Sequence, residues 1–300
     1  MPPSYLNLSK KELSQRIEKL FKNLKNCEIC PKKCYRNRLV GEKGFCQLGQ
    51  LPMVSAFHPH FGEERALVGN HGSGTIFFTS CNLSCVFCQN YEISQLRIGE
   101  EVSYQRLAQM MIELQNLGCH NINLVSPTSH VPAIVKSLSI AREKGLNLPL
   151  VYNTNTYDSV EVLKLLNGII DIYMPDAKYS SDVNALKYSS APNYFGIMKK
   201  AIKEMHRQVG DLIINEEGIA IKGLLVRHLV LPNNLAGTKE IIEFFAKEIS
   251  KNTFLNIMDQ YYPHAKAPQY PELSRRVSQK EFETAINLIK KVGLRRPYRE

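Results

Sequence analysis

No stretch of this 300-residue chain reaches the ~18 uninterrupted apolar residues of a membrane-spanning helix, which excludes that architecture. The N-terminal MPPSYLNLSKKELSQ has no apolar core of a secretory signal, so a cytoplasmic location is expected. There is no internal repeat and no low-complexity tract. With no sign of export, the eight cysteines read as metal ligands or free thiols rather than disulfides. No RNA-binding or DNA-reading motif is recognisable either, which counts against nucleic acid as a partner.

What is present is ordinary in bulk: 44% apolar and 22% charged residues, as in a soluble globular protein. The length suits one large core with a small appendage. The net charge of +10 is uneven. Residues 10–43 hold eleven Lys/Arg against four Glu, a net of +7, and residues 286–300 hold five against one, a net of +4. Basic ends attract nucleic acid or an acidic electron donor, or serve only as a solvated face.

A helix is expected over residues 10–25, where Ser9 and Glu12 form the capping-box pattern. Residues 27–73 read as loop-rich and hold four of the cysteines. From residue 74 short apolar runs alternate with longer amphipathic ones. Strands are expected at 75–79, 122–126, 149–153, 169–174, 224–231 and 254–258, all dense in Ile, Val, Leu, Phe or Tyr. Helices are expected near 103–117, 131–144, 158–167, 194–209, 238–250 and 278–292. Ser103, Asp158, Thr238 and Ser278 are N-cap candidates, and glycines such as Gly118 and Gly293 stand at the stops. Six β–α alternations predict an α/β fold with a parallel sheet, about two units short of a closed eight-fold barrel. The expected architecture is a partial (β/α)6 barrel (residues 74–300) with an N-terminal Cys-rich cap (residues 1–73).

The sharpest motif is SCNLSCVFCQN, in which Cys81, Cys85 and Cys88 form C-x3-C-x2-C directly after the first expected strand. Zinc usually takes four protein ligands, or three and water, and its motifs favour C-x2-C pairs. Three thiolates on one tight loop suit three irons of a cubane cluster, leaving the fourth iron open.

That spacing, with aromatic Phe87 before the last cysteine, resembles the signature of the radical S-adenosylmethionine (SAM) superfamily. The CEICPKKC, HFGEE, GSGTIFFTSCNLSCVFCQN and MPDAKY stretches are similar to those of pyruvate formate-lyase activating enzyme-like proteins. The resemblance implies an oxidoreductase with a [4Fe-4S] cluster on Cys81, Cys85 and Cys88. Its open iron would chelate the amino and carboxylate groups of SAM. One electron would then yield methionine and a 5′-deoxyadenosyl radical that abstracts hydrogen from a substrate. It also implies a reductant such as flavodoxin or ferredoxin, and glycyl-radical installation on a partner protein as one outcome. A small molecule or a different protein remains the alternative substrate.

The resemblance extends to the SAM contacts at the strand ends. Where activating enzymes carry Gly-Gly-Glu, this chain has Ser126-Pro127-Thr128. Proline lacks an N–H and threonine a charge, so Ser126 and Thr128 make that contact differently or form only a turn. Asn153 and Thr154 match an Asp-Thr pair, with the charge lost. Asp176 and Lys178 match Asp-x-Lys and, two apart on a strand, point the same way, so one ligand reaches both. Arg227 in RHLVLP is a candidate for the methionine carboxylate, since its fork suits one, whereas His228 reads as structural.

Cys27, Cys30, Cys34 and Cys46 read C-x2-C-P-x2-C-x11-C, four thiols in twenty residues. A second metal site is expected, with structural zinc or an auxiliary iron–sulfur cluster both open. Cys119 reads as a lone buried thiol. His58, His60, Glu63 and Glu64 in FHPHFGEE either touch substrate or anchor the cap, although loop residues of this kind are mostly solvated. Tyr261 and His264 are placed to reach the adenine or the substrate. The rival to an enzyme is a zinc-stabilised nucleic-acid-binding protein. It requires a colourless zinc protein whose affinity falls steeply with salt.

Overall fold

Alternating buried runs and amphipathic segments become one twisted sheet with helices against its outer face. The computed structural model describes residues 1–298. Its strands are β1 (Met53–His60), β2 (Ser73–Phe78), β3 (Glu100–Glu101), β4 (Ile122–Val125) and β5 (Leu150–Thr154). They continue as β6 (Ile172–Pro175), β7 (Ile213–Ile214), β8 (Ala220–Leu229), β9 (Phe254–Met258) and β10 (Arg296–Tyr298). The order across the sheet is β10-β9-β8-β6-β5-β4-β2-β1-β3, with β7 paired to β8 off that path. From β2 to β10 every neighbouring pair is parallel. β1 and β3 add an antiparallel edge. The sheet does not close, as a partial (β/α) barrel requires.

Most expected elements form. Every residue of β4 and β5 is buried, which explains why these strands read as continuous apolar runs. Ser9 and Ser278 each close a full capping box, and Ser103 accepts from Arg106 N–H. Four details differ. Residues 53–60, read as loop, form β1 along β2, so the sheet continues into the Cys-rich segment. The basic tail forms β10 against β9. A helix at Asp182–Ser189 went unread. Neither Asp158 nor Thr238 caps a helix: Ser159 and Gly237 hold those positions. Asp158 is instead buried and accepts hydroxyls from Thr154 (2.6 Å), Thr128 (2.8 Å) and Tyr152 (2.9 Å).

The strand period decides what faces inward. Val151, Ile172, Met174 and Leu225 pack with Ala66 and Leu67, which follow β1 and fill the base of the sheet's concavity. Two residues further along the same strands come Asn153, Asp176 and Arg227. The inner face is therefore apolar below and polar at the C-terminal strand ends.

Two buried histidines link this packing to pH. His228 Nδ1 donates to Ala177 C=O at 2.6 Å, and Nε2 faces the Thr238 hydroxyl at 2.9 Å. His130 Nε2 donates to Thr79 C=O at 2.8 Å, while its Nδ1 has no partner. Burial pushes His228 down to about 4 and His130 down to about 3. Below the ordinary value near 6.5 the unfolded chain binds protons that the folded chain refuses. Stability is therefore full above that pH and falls by about 1.4 kcal/mol per unit per histidine toward pH 4. Calorimetry should show the melting temperature dropping between pH 6.5 and pH 4, with a shallower slope in His228→Gln. A flat profile there would refute the assignment.

Candidate functional site

The C-terminal ends of the parallel strands open into one cavity of about 460 Å³. This is the end at which sites form in parallel α/β sheets. Cys81, Cys85, Cys88 and Phe87 line it together with Ser126, Asn153, Asp176, Lys178 and Arg227. Residues separated by as many as 146 positions in sequence thus share one space. That volume lies within the ~300–1,000 Å³ of a usual small-molecule pocket.

The cysteine loop leaves β2 through Ser80, whose φ of 66° lies in the left-handed region. Ser126 after β4 (φ 59°) and Thr156 after β5 (φ 64°) repeat this at the next strand ends. Such geometry costs on the order of 1–3 kcal/mol per residue and survives where the surroundings over-determine it. Polar groups surround the sulfurs. Cys81 Sγ accepts from Leu83 N–H (3.3 Å) and Asn155 Nδ2 (3.2 Å), and Cys85 Sγ from the Ser189 hydroxyl (3.0 Å). Cys88 Sγ lies 3.2 Å from the Ser94 hydroxyl. Burial, with Cys85 and Cys88 adding to it, pushes the Cys81 thiol up to about 12. Burial also pushes Cys85 up, to about 11, against the pull of the Lys178 ammonium. A bound metal would hold Cys81 and Cys85 deprotonated against this burial, and thiolates are the ligands of iron–sulfur clusters.

A charged row runs along the strand ends. Arg227 donates Nε to Asp176, Nη1 to Glu63 and Nη2 to Asn153, each at 2.9 Å. Lys178 Nζ donates to the other Asp176 oxygen at 2.8 Å. Glu63 Oε2 also accepts from Asn153 (3.1 Å) and Asn123 (3.2 Å). Burial raises the Asp176 carboxyl, but Arg227 and Lys178 together bring it below its ordinary range. Burial lowers Lys178, and Asp176 and Cys85 more than reverse this. Asp176, Lys178 and Arg227 therefore stay ionised. The Asp176 carboxylate and the cations beside it offer complementary contacts to the ammonium and carboxylate of an amino-acid moiety.

Some expected contacts fall elsewhere. Thr128 lies behind the cavity wall, its hydroxyl donated to Asp158, because proline turns the chain there into a 3-10 helix. His264 packs on the Tyr262 ring at 5.6 Å and is not on the cavity. Tyr261 lines the cavity and meets Phe87 edge to face, although its hydroxyl turns away to Leu273 C=O. Glu63 and Glu64 are not solvated: the first joins the charged row, and the second is buried and accepts from Asn256 at 2.9 Å. Asn155, Ser94 and Ser189 went unread. Only Asn155 carried a signal, its place in NTNTYD beside Asn153.

The Cys-rich segment docks beside the same mouth. Arg38 is buried and donates to Gly49 and Ser129 carbonyls, and Lys32 donates to Ser190 C=O. Cys27, Cys30, Cys34 and Cys46 line a separate, smaller pocket. Among the described residues, no three His, Cys, Asp or Glu side chains close on one point as a single metal ion requires. Each cysteine set faces a shared space instead. No helix among the described residues is long and apolar enough to cross a membrane.

A sequence profile described as the Radical SAM superfamily matches residues 75–215. Two Methanocaldococcus jannaschii proteins, both named only as uncharacterised, are similar over nearly the whole chain. One is 36% identical, covering 94% of this chain and 79% of that protein; the other is 26% identical, covering 94% and 82%. Among solved structures, HydG, a maturase of the [FeFe]-hydrogenase, aligns with a TM-score of 0.49 and 14% identity, over 96% of this chain and 63% of that one.

Proposed function

The chain belongs to the radical SAM superfamily, and from that premise we propose that it reductively cleaves SAM to start hydrogen abstraction from a substrate. The observation that carries this reading is the shared cavity. Three cysteine thiols face it from one loop, and a row of fixed charges suited to an amino-acid moiety faces it from the strand ends. A [4Fe-4S] cluster would be held by Cys81, Cys85 and Cys88 and would supply the single electron for reductive cleavage of SAM.

The protein's own part is orientation and dryness. Asp176 and Lys178 hold the charged groups of SAM, with Arg227 held at the same carboxylate. Asn155 and Ser189 direct polar hydrogens at the Cys81 and Cys85 sulfurs, the kind of contact that sets a cluster's reduction potential. Phe87 and Tyr261 wall the cavity with apolar surface and limit water near a reactive radical. The proposed reductant is a small acidic one-electron donor of the flavodoxin or ferredoxin class, supported by the net +7 of residues 10–43. The activating-enzyme form, in which a partner protein's glycine gives the hydrogen, rests on the sequence resemblance alone. The changes at Ser126-Pro127-Thr128 and Asn153 count against carrying over that group's ligand contacts unchanged.

The test is anaerobic reconstitution with iron and sulfide, followed by dithionite and SAM, with 5′-deoxyadenosine read by chromatography. Formation of that product above the rate of protein-free cluster supports the reading. Its absence in protein that holds the cluster would overturn it.

A further inference from the structure

Four thiols lie outside the site just described. Cys27, Cys30 and Cys46 are buried and Cys34 is half-buried, and all four line one pocket. Backbone bonds fix the loops that present them. Cys27 N–H donates to Arg36 C=O, Tyr35 N–H donates to Cys27 C=O, and Lys33 N–H donates to Cys30 C=O. Phe45 N–H points at Cys34 Sγ from 3.3 Å. Gly44 passes so close that a Cβ there would stand 2.7 Å from the same sulfur. The backbone at Gly44 and Phe45 thus passes directly over the Cys34 thiol.

Cations surround the thiols: Lys32, Arg36 and Arg38 all border the cavity. Buried thiolates need such compensation, and neutral buried thiols do not. A structural zinc would draw the sulfurs to one point, and no such convergence exists among the described residues. A cubane cluster takes its four thiolates around a core larger than one ion, which suits four thiols that border one pocket.

The cavity is also next to the catalytic loop. Asn82 borders it, and the Asn82 side-chain oxygen accepts from Asn155 Nδ2 at 2.8 Å. That same Asn155 amide reaches Cys81 Sγ at 3.2 Å. Lys32 lies within electrostatic reach of Cys30 and Cys34 on one side and of Cys81 on the other.

We propose that Cys27, Cys30, Cys34 and Cys46 hold a second [4Fe-4S] cluster, with every iron on a protein thiolate, Asn82 and Asn155 away from the Cys81 sulfur. It differs from the first in having no open iron, so it binds no SAM. Its place beside the first suits it to pass single electrons without gaining or losing an atom.

Metal analysis of the full chain tests this, on protein isolated anaerobically from iron-supplied cells. The wild type should hold about eight irons and eight sulfides. The triple variant Cys81→Ala, Cys85→Ala, Cys88→Ala should keep about four of each and a reducible visible absorption band. Cys34→Ser should lose that second set while the wild-type loop keeps its own. About one zinc per chain in the triple variant, or no metal there, would overturn the proposal. Because iron and sulfide are counted without SAM, failure of the SAM-cleavage reading leaves this result standing.

Discussion

Cys85→Ala should lower 5′-deoxyadenosine formation by about 10³-fold or more, to the background of protein-free cluster, while the melting temperature shifts little. A site-differentiated cluster needs three thiolates, and among the described residues no fourth cysteine lines that cavity. Cys85 Sγ accepts from the Ser189 hydroxyl at 3.0 Å, a poor ligand for iron beside thiolate. A 10³-fold loss is about 4 kcal/mol of barrier. The fold should not notice, because Cys85 lies on a half-buried loop where losing one sulfur opens little void. Cys119→Ala is the matched control, since Cys119 is buried off the cavity and should leave turnover unchanged. Normal product formation by Cys85→Ala would remove this loop from the chemistry.

The cysteine loop was legible because its ligands are local: three thiols within eight residues carry their meaning in their spacing. The buried strands were legible because apolar runs between helix caps have few other uses. Long-range pairing was not. Glu63 reads as one polar residue of a Gly-containing loop, and only the fold reveals Arg227, 164 positions later, as its partner. A carboxylate enters a concave sheet face only with such compensation, and compensation from a distant strand leaves no local pattern. Asp158 failed in the same way. Its place before a helix suggested a cap, while three hydroxyls from neighbouring strand ends held it inside. β1 was missed because its sequence, MVSAFHPH, mixes polar residues and a proline, as an antiparallel strand with one open face tolerates.

Arg227→Met should be the most damaging single change in the charged row, acting on both stability and ligand binding. Arg227 is about four-fifths buried and joins Asp176, Glu63 and Asn153 in three bonds of 2.9 Å. Its removal leaves Glu63 unpaired and Asp176 with Lys178 alone, a loss of about 3 kcal/mol, toward the lower end for buried pairs because the cavity admits water. SAM affinity, read by equilibrium dialysis, should fall at least about tenfold, since an unneutralised carboxylate pair repels the SAM carboxylate. Arg227→Lys keeps the charge but not the fork, so it should restore part of the stability and little of the affinity. Pairing Arg227→Met with Glu63→Gln removes the stranded charge. That double variant should regain most of the melting temperature while SAM binding stays weak. If binding recovers along with stability, Arg227 only balances Glu63 and does not serve the ligand. If neither changes in Arg227→Met, the charged row is not the amino-acid site.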